Sequence, residues 1–349
     1  MPRMHAPEIL AALILATLAA CAAAPEMRAA PAPATTSAAS APRPPQSPAV
    51  LPGKGLAQHP FLYAGEWDTR KTDQSMFLVK EGKIVWSYSI PLHLPNGNIQ
   101  EFDDATMLPN GNIIFSRMSG AGIVNPDKKL VWEYVAPPNT EVHSAQYLGN
   151  DRALIMRNGN PAQAMIFNVV TNTLERTIPI PTTVTGTHGQ FRHIRMTPAN
   201  TILVPHMGEN KVVEYDLDAK PLWTVQFPSP WQAVRLKNGN TLMSSNNSLV
   251  REVNKAGETV WELSQKDLPD YKIFNTQTAG RLANGNTVIC SWVAGNNDTA
   301  QWPDTCQVLE VTPEKKVVWA LRAWTPPGDL GPSTSIQLLD EPDPYDQQR

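Results

Sequence analysis

Six stretches of this 349-residue chain run in parallel: EFDDATMLPNG, EVHSAQYLGND, QFRHIRMTPAN, PWQAVRLKNG, TQTAGRLANG and TSIQLL. Aligned on their turns, they give a column of Asp103, His143, Arg192, Trp231, Gln277 and Thr334. The next column is Asp104, Ser144, His193, Gln232, Thr278 and Ser335. An imidazole titrates near neutral pH, so His143 and His193 are the candidates for general acid–base or nucleophilic work, with Asp103 and Asp104 to orient them. The guanidinium fork of Arg192 suits a carboxylate or sulfate. Trp231 can stack on a sugar or aromatic ring. The third column turns small or apolar: Ala105, Ala145, Ile194, Ala233, Ala279 and Ile336.

The elements that must hold these columns are read from a repeat. Pro230 to Glu262 contains four short apolar-rich runs, WQAVRL, NTLMSS, LVREVN and ETVWEL, separated by Asn238-Gly239, Asn246-Asn247 and Lys255-Ala256-Gly257. Asn and Gly tolerate the positive φ that tight hairpins need, so each run folds back on the one before it. The fourth run recurs at Trp86, Trp132, Leu174, Trp223, Trp261 and Trp319, six times with one Trp replaced. The spacing is roughly the 40–50 residues of propeller repeats. FLYAGEW near Phe61 aligns with a second strand, and SIQLLDEP after Ser335 reads as a first strand with nothing following it. A C-terminal strand completing the N-terminal sheet closes a ring and removes exposed edges. The expected fold is therefore all-β: a six-bladed β-propeller of four-stranded antiparallel blades, closed by a C-terminal strand.

In such a ring the first strand of every blade lines the central channel, and the columns become tiers around its axis. The loops joining second to third strands share the mouth at which those first strands begin. They are expected to add Arg117, Arg157, His206 and Trp292 to the ligand-binding set, with His188 on the loop feeding the fourth blade. Four of the seven histidines then meet at one mouth. Acid, base, guanidinium, amide and indole facing one concavity point to a small-molecule site.

The repeat form, LxNGNT followed by V-x-E-V-x-x-x-G-x-x-V-W-E, resembles the bacterial PQQ-like propeller repeats and is similar to those of the arylsulfotransferase family. The quinone-bearing dehydrogenases of this type are eight-bladed and carry adjacent cysteines over the cofactor. Neither feature is present, so PQQ is not expected, nor any other cofactor. The outer-membrane-assembly lipoproteins with such repeats are also eight-bladed. Arylsulfotransferases have six-bladed propellers and work through histidines and an arginine at the channel, which the resemblance maps in type to His143, His193 and Arg192.

Outside the repeats, residues 1–20 carry Arg3 and the apolar run Ile9 to Ala20, too short for a stable membrane span. Leu18-Ala19-Ala20-Cys21 looks like a lipobox, implying cleavage before Cys21 and its lipidation; an ordinary secretory signal is the alternative. Ala22 after the cysteine favours the outer membrane, hence a periplasmic lipoprotein held by its lipid alone. Residues 21–55 are Pro-, Ala- and Ser-rich and read as a disordered tether, residues 56–343 as the propeller, and 344–349 as a tail. Lys and Arg total 29 against 32 Asp and Glu, without a basic run, so nucleic acid is not an expected partner. Cys290 and Cys306 fall on neighbouring strands of the sixth blade, where an oxidising compartment permits a disulfide. No Cys/His spacing suggests a metal site. The expected protein is a monomer that binds, and in one version processes, a small polar or anionic ligand such as a sugar acid. A sulfotransferase-like enzyme and a non-catalytic interaction scaffold are the alternatives.

Overall fold

The turns explain the sheets. At Asn238-Gly239-Asn240, Gly239 sits at φ +86°, and the Asn238 carboxamide accepts a hydrogen bond from the Asn240 amide at 2.9 Å. Asn110 and Asn284 make the same contact to the residue two positions on, at 3.0 and 2.8 Å. An Asn side chain that mimics a backbone turn and a Gly that adopts positive φ together reverse the chain within a few residues. In the computed structural model, which describes residues 48–341, these reversals produce six four-stranded antiparallel sheets.

The inner strands of blades 2 to 6 are Phe102–Met107, Glu141–Gly149, Arg195–Met196, Pro230–Arg235 and Ala279–Arg281. The inner strand of blade 1 is Ser333–Leu338, from the other end of the chain. It pairs antiparallel with Phe61–Gly65 in the register Phe61–Leu338 and Tyr63–Ile336, so the ring is closed as the sequence implied.

The core consists of six apolar clusters, each lying between two successive blades. Ala105, Ala145, Ile194, Ala233, Ala279 and Ile336, the third column, enter one cluster apiece. A small or branched residue at that height lets neighbouring inner strands approach closely around the axis.

The repeated Trp has a matching task at the periphery. Trp86, Trp132, Trp223 and Trp261 each donate their indole N–H to the outer turn of the next blade, at Pro126, Asn172, Lys255 and Pro313 respectively, over 2.9–3.1 Å. Blade 3 carries Leu174 instead, and Arg176 reaches Leu217 O and Asp218 of blade 4 in its place. Trp319 closes the series on Gly55 O at 2.9 Å.

Two expectations need correction. The end of the predicted tether is docked: Leu51 packs against the cluster between blades 5 and 6, and Ala320 N donates to Pro52 O. Cys290 and Cys306 are two buried thiols, not a disulfide. Cys290 belongs to the cluster between blades 6 and 1, and Cys306 to the one between blades 5 and 6. They pack on either side of blade 6, Cys290 at the end of the second strand Thr287–Cys290 and Cys306 in the segment that precedes the third, Val308–Val311. The leader, Cys21 and the tail lie outside the described residues. No helix among the described residues is long and apolar enough to cross a membrane.

Candidate functional site

The upper tier forms a belt of linked pairs around the channel. Asp103 of blade 2 contacts His143 of blade 3 (Oδ2–Nδ1 3.0 Å), and Arg192 of blade 4 lies over the Trp231 ring of blade 5 at 4.7 Å. On the other side, Gln277 of blade 6 donates from Nε2 to Glu66 Oε1 at 2.9 Å. Glu66 follows the second strand of blade 1 and takes that blade's place in the belt, where the alignment had put Thr334. Glu101, two residues before Asp103, enters the same cluster; its Oε2 lies 3.2 Å from His143 Nδ1, and its Oε1 accepts the indole N–H of Trp67 at 2.7 Å.

His143 is therefore enclosed by carboxylates. Nδ1 meets Asp103 and Glu101, and Nε2 meets Glu141 Oε2 at 2.9 Å. Burial and the Arg192 charge oppose its protonation, yet the carboxylates outweigh them and hold its pKa well above the ordinary imidazole value. With both nitrogens on carboxylates His143 offers no free lone pair to act as base or nucleophile, while as an imidazolium it can still give up a proton, the acid half of the role expected from the sequence. Burial alone would raise Glu101, but His143, His188 and Arg192 bring it down to about 2. Glu141, against the burial that would raise it, is held well below the usual carboxylate range by His143 and His188. Burial, with the Glu101 charge, pushes Asp103 up to about 7 in spite of His143. Burial and the charges of Glu101 and Asp103 hold Glu66 well above its ordinary value.

The cluster reaches solvent through His188. It sits on the short 3-10 turn Thr187–Gly189, its side chain is 48% exposed, and its Nδ1 lies 3.1 Å from Glu141 Oε2. Its ring meets that of His143 edge-on at 5.3 Å. Glu101 Oε1 lies 3.8 Å from His188 Nε2 and also holds the indole of Trp67, which packs with Trp292, Trp302, Trp324 and Phe274 in an aromatic cluster. Trp67 is half-buried and packs edge-on to Trp292, with ring centroids 5.9 Å apart.

One tier down, Asp104 and Arg195 form a bidentate pair at 2.8 and 2.9 Å, and Asp104 also accepts from Ala145 N. Ser144 accepts from Ile194 N and Gln232 from Ala279 N, so this tier stitches inner strands of separate blades together. His193 is fully buried, and burial together with the Arg195 and Arg192 charges, against the pull of Asp104, lowers its pKa to about 3. Both of its ring nitrogens lack a hydrogen-bond partner, as do Trp231 Nε1, Gln232 Nε2 and Gln277 Oε1.

Three expected site residues point elsewhere. Arg117 pairs with Glu133 of its own blade, and Arg157 bonds Gln163 on the adjacent strand. His206 lies in the sheet of blade 4, between Glu209 (Nδ1–Oε2 2.7 Å) and the Tyr215 hydroxyl (3.1 Å). All three spend their polar groups on partners within their own blades. Arg192 is in place but committed: Nη1 donates to His188 O and Phe191 O, and the residue is 1% exposed. The belt is consequently acidic, not the anion cradle that three arginines would have made. Glu66, Glu101, Glu141, Arg195 and Trp67 were absent from the sequence columns.

No protein-family model and no curated protein matches the chain. Among solved structures, a protein of unknown function from Bacteroides caccae is 23% identical with a TM-score of 0.69, over 80% of this chain and 98% of that one. A catalytically inactive virginiamycin B lyase from Staphylococcus aureus, solved with quinupristin, is 12% identical at TM-score 0.50, over 78% and 88% of the two chains. BamB from Moraxella catarrhalis is 11% identical at 0.44, over 69% of each. At these identities the likeness is one of fold: β-propeller architecture.

Proposed function

We propose that the protein binds a small, polar, hydroxyl-rich ligand of the sugar or sugar-acid kind at the His188 mouth of the channel. The observation that carries this is the pairing of a solvent-reaching acid–imidazole group, His188 with Glu141 and Glu101, with the half-buried indole of Trp67 beside it. Carboxylates and imidazoles exchange hydrogen bonds with hydroxyls, and an indole offers a face to the apolar side of a sugar ring. The belt below supplies unpartnered donors and acceptors on several blades, so a ligand entering it finds groups of both kinds.

A second reading, catalysis, rests on His193: a neutral imidazole with two unpartnered nitrogens, it has a lone pair open to an electrophile. A sulfotransferase-like role would have to run through it, since His143 is committed. We also propose, from the Cys21 lipobox and the linker after it, that the propeller is tethered to the outer membrane on its periplasmic side. Loss of membrane association in Cys21→Ser tests the tether; unchanged association overturns it.

The ligand reading is tested by a thermal-shift screen of mono- and oligosaccharides and sugar acids on the purified protein, followed by calorimetry on each hit. Binding stabilises the folded state by mass action. His188→Ala and Trp67→Ala should each weaken the hit about tenfold or more, in line with a lost hydrogen bond or stacking contact, while Lys237→Ala at the opposite mouth leaves it unchanged. Equal affinity in all three folded variants would overturn the site. Turnover of a hit that is lost in His193→Ala would establish the enzymatic reading.

A further inference from the structure

The geometry points to an oxygen-only site for a divalent cation, calcium by its ligand chemistry, formed by Glu66, Glu101 and Asp103 between blades 1 and 2. Each residue offers one carboxylate oxygen, and these lie within 4.8 Å of one another. Calcium binds oxygen at about 2.3–2.6 Å, so ligands on opposite sides of it stand about 4.6–5.2 Å apart. The three residues are 1%, 2% and 0% exposed. Glu66 Oε2 and Asp103 Oδ1 have no hydrogen-bond partner. Glu101 Oε2 has only His143 Nδ1 at 3.2 Å, whose single proton is already directed to Asp103 Oδ2 at 3.0 Å.

A residue outside the acidic trio points the same way. Gln277, from blade 6 and 1% exposed, lies against Glu66 through its Nε2, which leaves its carbonyl Oε1 without a donor. Buried acceptors are satisfied in nearly all folded proteins. Here the buried acceptors Glu66 Oε2, Asp103 Oδ1 and Gln277 Oε1 are all without a partner.

A second grouping, Glu101 with His143 and His188, would suit a softer metal. Metal binding there needs a lone pair on His143, whose two nitrogens already face Asp103 and Glu141. His143 serves the oxygen site instead, fixing one oxygen of Asp103 so that the other is free for the ion. The inference needs no organic ligand, and its test succeeds or fails apart from the saccharide screen.

The test is calorimetric titration of the chelator-treated full chain with CaCl2, with MgCl2 and ZnCl2 in parallel. One calcium per chain is expected, bound more tightly than magnesium. Glu66→Gln, Glu101→Gln and Asp103→Asn should each lower the affinity about tenfold or more, the loss that follows even removal of a supporting partner of a metal ligand. In chelator, Glu66→Gln and Asp103→Asn should melt at or above the wild-type temperature, because each removes a carboxylate whose charge its neighbours disfavour; a purely structural role would make both melt lower. Absence of calcium binding up to millimolar concentration, calcium affinity unchanged by the substitutions, or zinc binding that is preferred and lost in His188→Ala would each overturn the proposal.

Discussion

Asp104 and Arg195 are locked side by side across the inner strands of blades 2 and 4, carboxylate to guanidinium, with Nη1 at 2.8 Å and Nη2 at 2.9 Å. Both are buried, at 2% and 4% exposure. Neither strand belongs to its partner's sheet, so the pair crosses blade 3 and ties three sheets at the axis. Removing one partner leaves an uncompensated buried charge, at a cost of about 3–5 kcal/mol. Arg195→Met should show that loss in urea unfolding, and Asp104→Leu combined with Arg195→Met should recover most of it. A single variant with wild-type stability would contradict this account.

Gln337 on the closing strand makes two bonds to Met107 in blade 2, accepting from its amide at 2.7 Å and donating to its carbonyl at 3.3 Å. Gln337→Ala should cost about 1–3 kcal/mol, the penalty for leaving backbone groups without partners. Truncation before Ser333 strips the inner strand from blade 1 and should abolish cooperative melting. A truncated chain that melts like the intact protein would disprove the closure.

The two thiols should be silent to Ellman's reagent in the native protein, since both are buried and burial pushes Cys290 up to about 11. Both should react on denaturation without reductant. Denatured protein with no reactive thiol would instead indicate a bridge.

His206 gives the fold a pH dependence. Burial, opposed by Glu209, lowers its pKa from 6.5 to about 4. The unfolded chain takes up the proton first, so this stabilisation is complete above the unfolded value and is lost as pH falls towards the folded one. Between pH 6.5 and 4 it amounts to about 3 kcal/mol. His206→Gln should flatten the stability profile in that window relative to wild type. An unchanged slope would place the titration elsewhere.

Blade number, turn chemistry and ring closure were legible because each is written locally and repeated: an Asn-Gly reversal, a Trp at the same offset, a lone strand at either end. The columns were legible for the same reason, one residue per blade at one height. Glu66 escaped them because blade 1 borrows its inner strand, so the residue filling that station follows a second strand. Glu101 and Glu141 precede the aligned positions by two residues and reach the cluster because alternate residues share a face. Arg117, Arg157 and His206 were read from their place in the chain alone, which does not show that partners within their own blades take up their polar groups. Cys290 and Cys306 failed for a different reason: Cys306 lies just before its strand and packs on the other side of the blade.

The pairing of Phe61 with Leu338 also sets an order of assembly. Blades 2 to 6 are each made from consecutive hairpins, so a nascent chain can build them one after another as it emerges. Phe61–Gly65 pairs on one side with Asp73–Lys80, the strand that follows it, but its other edge must wait until the far end of the polypeptide is delivered. That contact has the greatest sequence separation of any strand pair in the ring, so its loop-closure entropy is the largest and the joining step should be the slow one. An incomplete translation product would expose a β edge and the apolar side of blade 1 together, the combination that proteases and aggregation act on first.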